Sequence, residues 1–384
     1  MAEHYSHLGV YSDWVAATPS TDRLSPPAFD EVRRVVRQVF AVPAAASRRD
    51  AEHPLEVRVD DRWTAGGIDG EEISYSVGFG PRTSAWLLKP AGVDRPLPAV
   101  LALHGHDAFK FYGKEKIADG PQPPVPVVAA LRSAMYGGLA FANELARRGF
   151  VVLVPDVFGW GSRRFPLAEM PPLLQRLAAA TTDITPPDRV PGTVPADIAE
   201  YNSAAWHHES VIEKYCSLLG TTLAAVVARE DRIALDYLLD RPDTTDRAGS
   251  IGLSGGGCRS ALLRATSERV TASVVVGMMT TYAALLDHNV VDHTWMLMPA
   301  GFARFADWPD LAASAAPAPL LVQYNRHDPL FTLAGAEAAH ERISSWYAAS
   351  ADPAAYTGQF FDGLHKFDSP MQALAFDWLS RHLQ

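Results

Sequence analysis

The sequence predicts an α/β protein: a doubly wound, mostly parallel sheet with antiparallel N-terminal edge strands, a helical N-terminal extension and cap insertions. Three observations predict it. From "LPAVLALHGH" (97–106) onward, short and nearly all-apolar runs alternate with helical stretches, the rhythm of buried strands joined by crossover helices. Ahead of them, "LEVRVDDRW", "EEISYSVGF" and "RTSAWLLKP" alternate between Gly, Asp and Pro breaks, as antiparallel strands do. Third, a serine among glycines, "GLSGG" (252–256), stands where an apolar run gives way to a helical one.

Residues 1–54 read as the helical extension, because "PPAFDEVRRVVRQVFAV" sets Val32, Val35, Val36, Val39 and Phe40 at helical spacing behind Asp30. Residues 55–384 read as the main domain. Its later strands are "LPAVLALHGH", "FVVLVPDVFGWG", "RAGSIGLS", "VTASVVVGMM", "APLLVQYN" and "YTGQFFD". Its helices include "MYGGLAFANELARRGF", a long segment from Glu209 to Pro242 broken near Gly220, "GCRSALLRATSE", "AGAEAAHERISSWYAA" and "PMQALAFDWLSRHL". Two stretches break the rhythm: 162–208, rich in Pro and Thr, and 281–316, rich in His, Trp, Met and Phe. Long excursions from strand ends tend to cap a site.

The totals exclude several functions. A net charge of −10 leaves no basic surface for nucleic acid. Apolar runs such as "ASVVVGMM" are far shorter than the ~20 residues of a membrane helix. The start "MAEHYSHLGVYSDW" carries no basic-then-apolar leader pattern, and Cys216 and Cys258 make no disulfide framework. The expectation is a cytoplasmic protein with a small-molecule partner and neither nucleic acid nor membrane; assembly with copies of itself stays open.

Gly252-Leu253-Ser254-Gly255-Gly256 fits G-x-S-x-G, and its strand-to-helix setting is the one that pattern requires. The chain order on such a sheet is serine, acid, histidine. Downstream, Asp328 follows the strand "APLLVQYN" and His365 follows "YTGQFFD", both at strand ends where doubly wound sheets bind ligands. Asp328 also reads as a turn former before Pro329, with Asp287 and Asp292 as rival acids. His327, His340 and His382 are rival bases: the first adjoins Asp328, the others lie on helices. An oxyanion needs two donors: the N–H of Gly255 and, from "LHGH", the N–H of His106. No H-E-x-x-H spacing occurs, so His207, His208, Glu209, His288 and His293 read as cap contacts, with no metal and no cofactor expected. Trp160, Trp206, Trp295, Trp308, Phe302 and Phe305 read as cap packing or an apolar pocket, Arg163 and Arg164 as partners of Asp156 or of substrate, and Cys258 as core.

With these residues in place, the chain from about Leu55 resembles α/β-hydrolases of the dienelactone-hydrolase and acetyl-xylan-esterase-like kind. The resemblance runs through "LHGH", "GGLAFANELARRGFVVLVPDVFGWGSR", "YNSAAWHHES", "IGLSGGGCRSALLRA", "DHTWMLMPAGFARFADWPDLAASAAPAPLLVQYNRHDPLF" and "FFDGLHKFDSPMQALAFDWL". It implies Ser254 as nucleophile, Asp328 as acid and His365 as base. Dienelactone hydrolases proper often carry cysteine where this chain has Ser254, which favours ordinary ester hydrolysis. Many relatives carry more glycines than "HGHDAFKFYGKEK" does. The function expected is cleavage of a small carboxylic ester through an acyl-enzyme. Peptide or amide hydrolysis, acyl transfer and C–C bond hydrolysis use the same triad, and a non-catalytic binding protein is the reading from another class.

Overall fold

The computed structural model describes residues 5–17, 28–40, 54–180, 194–286 and 289–384. Nine strands form one sheet in the order β1-β2-β3-β5-β4-β6-β7-β8-β9. They are β1 (Leu55–Ala65), β2 (Ile68–Ser76), β3 (Thr83–Pro90), β4 (Leu97–Leu103), β5 (Val151–Pro155), β6 (Thr244–Leu253), β7 (Ala272–Val276), β8 (Leu320–Asn325) and β9 (Tyr356–Phe361). The pairs β1–β2, β2–β3 and β3–β5 are antiparallel, and every pair from β5–β4 through β8–β9 is parallel. β4, β5, β7 and β8 are buried along their whole length. That is why they read as unbroken apolar runs, whereas β2 alternates.

Helices cover both faces. One cluster packs Phe141, Leu145, Trp378 and Leu379 on Val100, Val152 and Val274. The other packs Val227, Leu262 and Trp308 on Val275 and Val322. The extension helix Phe29–Phe40 joins the second cluster through Val32, Val35, Val36 and Phe40, and Arg33 donates to the carbonyls of Ser314 and Ala316 at 2.9 and 2.8 Å.

The structure redraws one boundary. The Pro- and Thr-rich stretch 162–208 gives way at its end to a helix, Ala196–Leu218, which turns at Gly220 into the helix Leu223–Leu239. The long helical segment was readable from Glu209, but its first turns, "ADIAEYNSAAWHH", mix Asn, Ser and His with apolar residues. They are buried on more than one side, so no clean apolar stripe marks them.

Buried ion pairs brace the loop after β4, tie it to the end of β5, and join two of the helices. Lys116 meets Asp107 at 2.9 Å with both side chains fully enclosed, and Lys114 meets Asp156 at 3.2 Å. Arg259 grips Asp231 through two bonds of 3.0 and 2.6 Å. Removing one partner of such a pair costs about 3–5 kcal/mol.

Candidate active site

Ser254 follows β6 and occupies the N-cap position of the helix Gly255–Thr266. A serine there ordinarily caps its helix, its hydroxyl accepting an N–H of the first turn. Ser254 does not. Its side chain makes no capping hydrogen bond, and its backbone is forced to φ 56°, ψ −123°. Such a conformation costs on the order of 1–3 kcal/mol and persists only where the surroundings dictate it. Here they do: the Ser254 N–H bonds the Val276 carbonyl at 2.9 Å and its carbonyl takes the Cys258 N–H at 2.8 Å. The turn is tight enough that a Cβ at Gly256 would lie 2.1 Å from the Leu103 oxygen, and one at Gly252 2.4 Å from Gly256. Only glycine fits either side of this serine.

Asp328 and His365 arrive from the ends of β8 and β9. His365 Nδ1 donates to Asp328 Oδ2 at 2.6 Å, both side chains almost wholly buried. The other Asp328 oxygen accepts the Leu330 N–H at 2.9 Å. One oxygen of Asp328 therefore serves the turn before Leu330 and the other holds His365. With Nδ1 committed to Asp328, the buried Nε2 of His365 has no hydrogen-bond partner. The ring lies against Gly277, just after the Val276 that holds Ser254: a Cβ at Gly277, where φ is +54°, would come within 3.2 Å of His365 Cε1. Nothing in the run "VVVGMM" marks Gly277 in advance.

The backbone nitrogen of His106 sits beside Gly255, so close that a Cβ on Gly255 would come within 2.5 Å of it. Gly255 is the first residue of its helix, where N–H groups have no carbonyl a turn behind them and the helix dipole is positive. The His106 ring stands edge-on between Trp160 and Trp206, with centroids 5.2 and 5.3 Å away. Its Nδ1 accepts the Ala108 N–H at 3.1 Å and its Nε2 donates to Glu209 at 2.9 Å. Burial, outweighing the pull of Glu209, holds its pKa below the ordinary value, so the ring stays neutral. His104 is pushed down further, by burial and then by Arg259.

Ser254 opens on a narrow crevice of about 20 Å³, lined also by His106, Trp206, Met278, Asp292, His293 and Leu330. That is room for about one water. Trp206 comes from the first insertion, Asp292 and His293 from the second.

The structure meets some of the other expectations and departs from others. Arg163 is buried but pairs with Glu230 at 2.5 Å rather than with Asp156, whose oxygens take Lys114 and the Ser162 N–H. Arg164 lies over the Phe111 ring at 4.4 Å. Trp160, Trp308, Phe302 and Cys258 are core, and Trp295 and Phe305 are exposed. Of the rival acids, Asp292 is exposed at the crevice and Asp287 lies outside the described residues, as does His288. Of the rival bases, His340 bonds the Tyr356 hydroxyl at 2.8 Å and His382 packs on Trp378. Among the described residues, no three His, Cys, Asp or Glu side chains are grouped to hold a metal ion.

Glu209, weighed in the sequence only as part of a His-rich cluster, is buried at the centre of the cap and accepts four hydrogen bonds. Burial alone would raise its pKa; Lys110 and His106 outweigh that and hold it far below the carboxylate range.

Known proteins can now be set beside this geometry. BF1801 of Bacteroides fragilis NCTC 9343, an acetyl xylan esterase by assignment, superimposes with a TM-score of 0.62 at 14% identity, over 92% of this chain and 82% of its own. A glucuronoyl esterase from Solibacter usitatus gives 0.60 at 14% identity, over 96% and 94%. The chain has the α/β-hydrolase fold. Methylesterase BT1017 gives 0.57 at 18% identity; this chain covers only 63% of its length, while 92% of this chain is matched. In sequence, YtaP of Bacillus subtilis (strain 168), a hydrolase by assignment only, is 24% identical over 275 residues, 70% of this chain and 72% of YtaP. No protein-family model matches the chain.

Proposed function

We propose that this α/β-hydrolase is a serine-dependent carboxylesterase acting on a small-molecule ester. One observation carries the reading. Ser254 occupies a helix-capping position without capping, in a strained turn, while a buried His365–Asp328 pair leaves Nε2 unpartnered, its ring against Gly277 beside the Val276 that bonds Ser254. The esterase names of the structural neighbours favour the same chemistry.

In this reading His365 Nε2 takes the Ser254 proton as Oγ attacks the ester carbonyl, and the Asp328 carboxylate steadies the imidazolium. The absence of a Ser254–His365 hydrogen bond is no obstacle, since such bonds often tighten only when substrate is bound. The N–H groups of Gly255 and His106 hold the oxyanion. The ester C–O bond breaks, the alcohol leaves with the proton from His365, and an acyl-enzyme remains. Water, deprotonated by the same nitrogen, then releases the acid. No cofactor takes part.

Ser254→Ala tests this. Hydrolysis of a short-chain aryl ester should fall by about 10⁴-fold or more, with an unchanged melting temperature. Activity within tenfold of the parent would defeat the assignment.

A further inference from the structure

A single carboxylate ties together the walls of the Ser254 crevice. Glu209 Oε2 accepts from His106 Nε2 at 2.9 Å and from Lys110 Nζ at 2.5 Å. Glu209 Oε1 accepts from Thr294 Oγ1 at 2.5 Å and from the Trp295 N–H at 2.8 Å. The first two donors belong to the loop after β4, the last two to the second insertion, and Glu209 to the helix Ala196–Leu218. The Lys110 ammonium is itself enclosed, 4.2 Å over the Trp160 ring. The pieces joined in this way supply His106, Trp206, His293 and Thr294 to the crevice.

We propose that Glu209 is the positioning residue of this site: it fixes the His106 segment, and with it the second oxyanion donor, against the cap. The proposal rests on the serine-esterase reading above. Glu209 acts through His106 and the cap backbone, away from the reacting atoms. The chemistry calls for a carboxylate, since four donors converge on it and an ionised carboxyl group is acceptor-only. A glutamine amide turns one oxygen into a donor. Its NH₂ then faces either His106 and Lys110 or the Trp295 N–H, and a donor meets a donor in both placements. It also leaves Lys110 buried without its countercharge. The loop is then free to shift, and oxyanion donors act only within a narrow range of about 2.7–3.1 Å. A change felt in the transition state and not in the ground state lowers kcat and spares KM.

The test compares parent, Glu209→Gln and Ser254→Ala on a short-chain aryl ester. It adds the affinity for an aryl trifluoromethyl ketone, to which the serine oxygen adds to give a bound oxyanion. For Glu209→Gln, kcat should fall about 30-fold with KM within about threefold, and ketone affinity should fall by the same factor as kcat/KM. A kcat within threefold of the parent, or undiminished ketone affinity beside a lowered kcat, overturns the proposal. Activity surviving in Ser254→Ala would instead mean that the serine reading has failed, whatever Glu209 does. Should Glu209→Gln not fold, Thr294→Val is read in the same way. Matched losses of about three- to tenfold in kcat and ketone affinity support the proposal, and no change in either overturns it.

Discussion

The floor of the crevice is held by backbone and its roof by side chains. On the floor, Ser254 is fixed by hydrogen bonds of its own N–H and carbonyl to Val276 and Cys258, and by glycines that let Leu103 and His106 approach. In the roof, the decisive contacts join Glu209 to His106 across 103 residues of chain and to Thr294 across 85. The floor therefore leaves a local signature in the sequence, and the roof leaves none. A strained turn excludes every residue but a few, whereas a buried ion pair asks only that two opposite charges be present somewhere in the chain.

The comparison breaks most decisively at the acid. Asp328→Asn should lower kcat by about 10³–10⁴-fold, because Asn donates where His365 Nδ1–H needs an acceptor. Asp292→Asn, at the exposed lip of the crevice, should leave kcat/KM within about threefold. The reverse ranking would put the acid in the second insertion and the roof, and would remove the floor's claim to the chemistry.

Ser254, Asp328 and His365 stood out as candidates for a common reason. Each follows an apolar strand run, and the sheet brings strand ends together. Asp328 carried two readings, turn and acid, and the structure accommodates both through its two oxygens. Glu209 was not legible, because "WHHESVIEK" looks like a solvated helix until Lys110 and His106 arrive from a distant loop. Arg163 failed for the same reason. Asp156 was its near neighbour in sequence, but the pairing was decided by the helix Leu223–Leu239, which delivers Glu230. The entry of the helix Ala196–Leu218 was hidden because burial on several sides leaves no stripe to read.

A smaller effect sharpens the contrast by pH. His104 and His106 have pKa values lowered by burial, and His208 is lowered to about 4 by burial and then Lys110. As pH falls below about 6.5, the unfolded chain takes up these protons first. The stability they contribute is complete above that value and is lost on descent towards their folded values, between about 6.5 and 4 for His208. Glu209 has a depressed pKa, so its contribution is present above its unfolded value of about 4.3 and is lost only below it. The melting temperature should therefore fall by about 2–6 °C from pH 7 to pH 5, and His208→Gln should remove part of that fall. A fall in His208→Gln as large as in the parent would mean that His208 is not held neutral.

In the proposed reaction a carbonyl is attacked by Ser254 and by no other side chain. The most direct measurement is intact and peptide mass spectrometry after treatment with a fluorophosphonate. A serine esterase of this kind should give a single adduct on the peptide containing Ser254, with ester hydrolysis lost in step with labelling and no adduct on Ser254→Ala. An ester-hydrolysing protein that took up no label, or took it up elsewhere while Ser254 stayed unmodified, would contradict it.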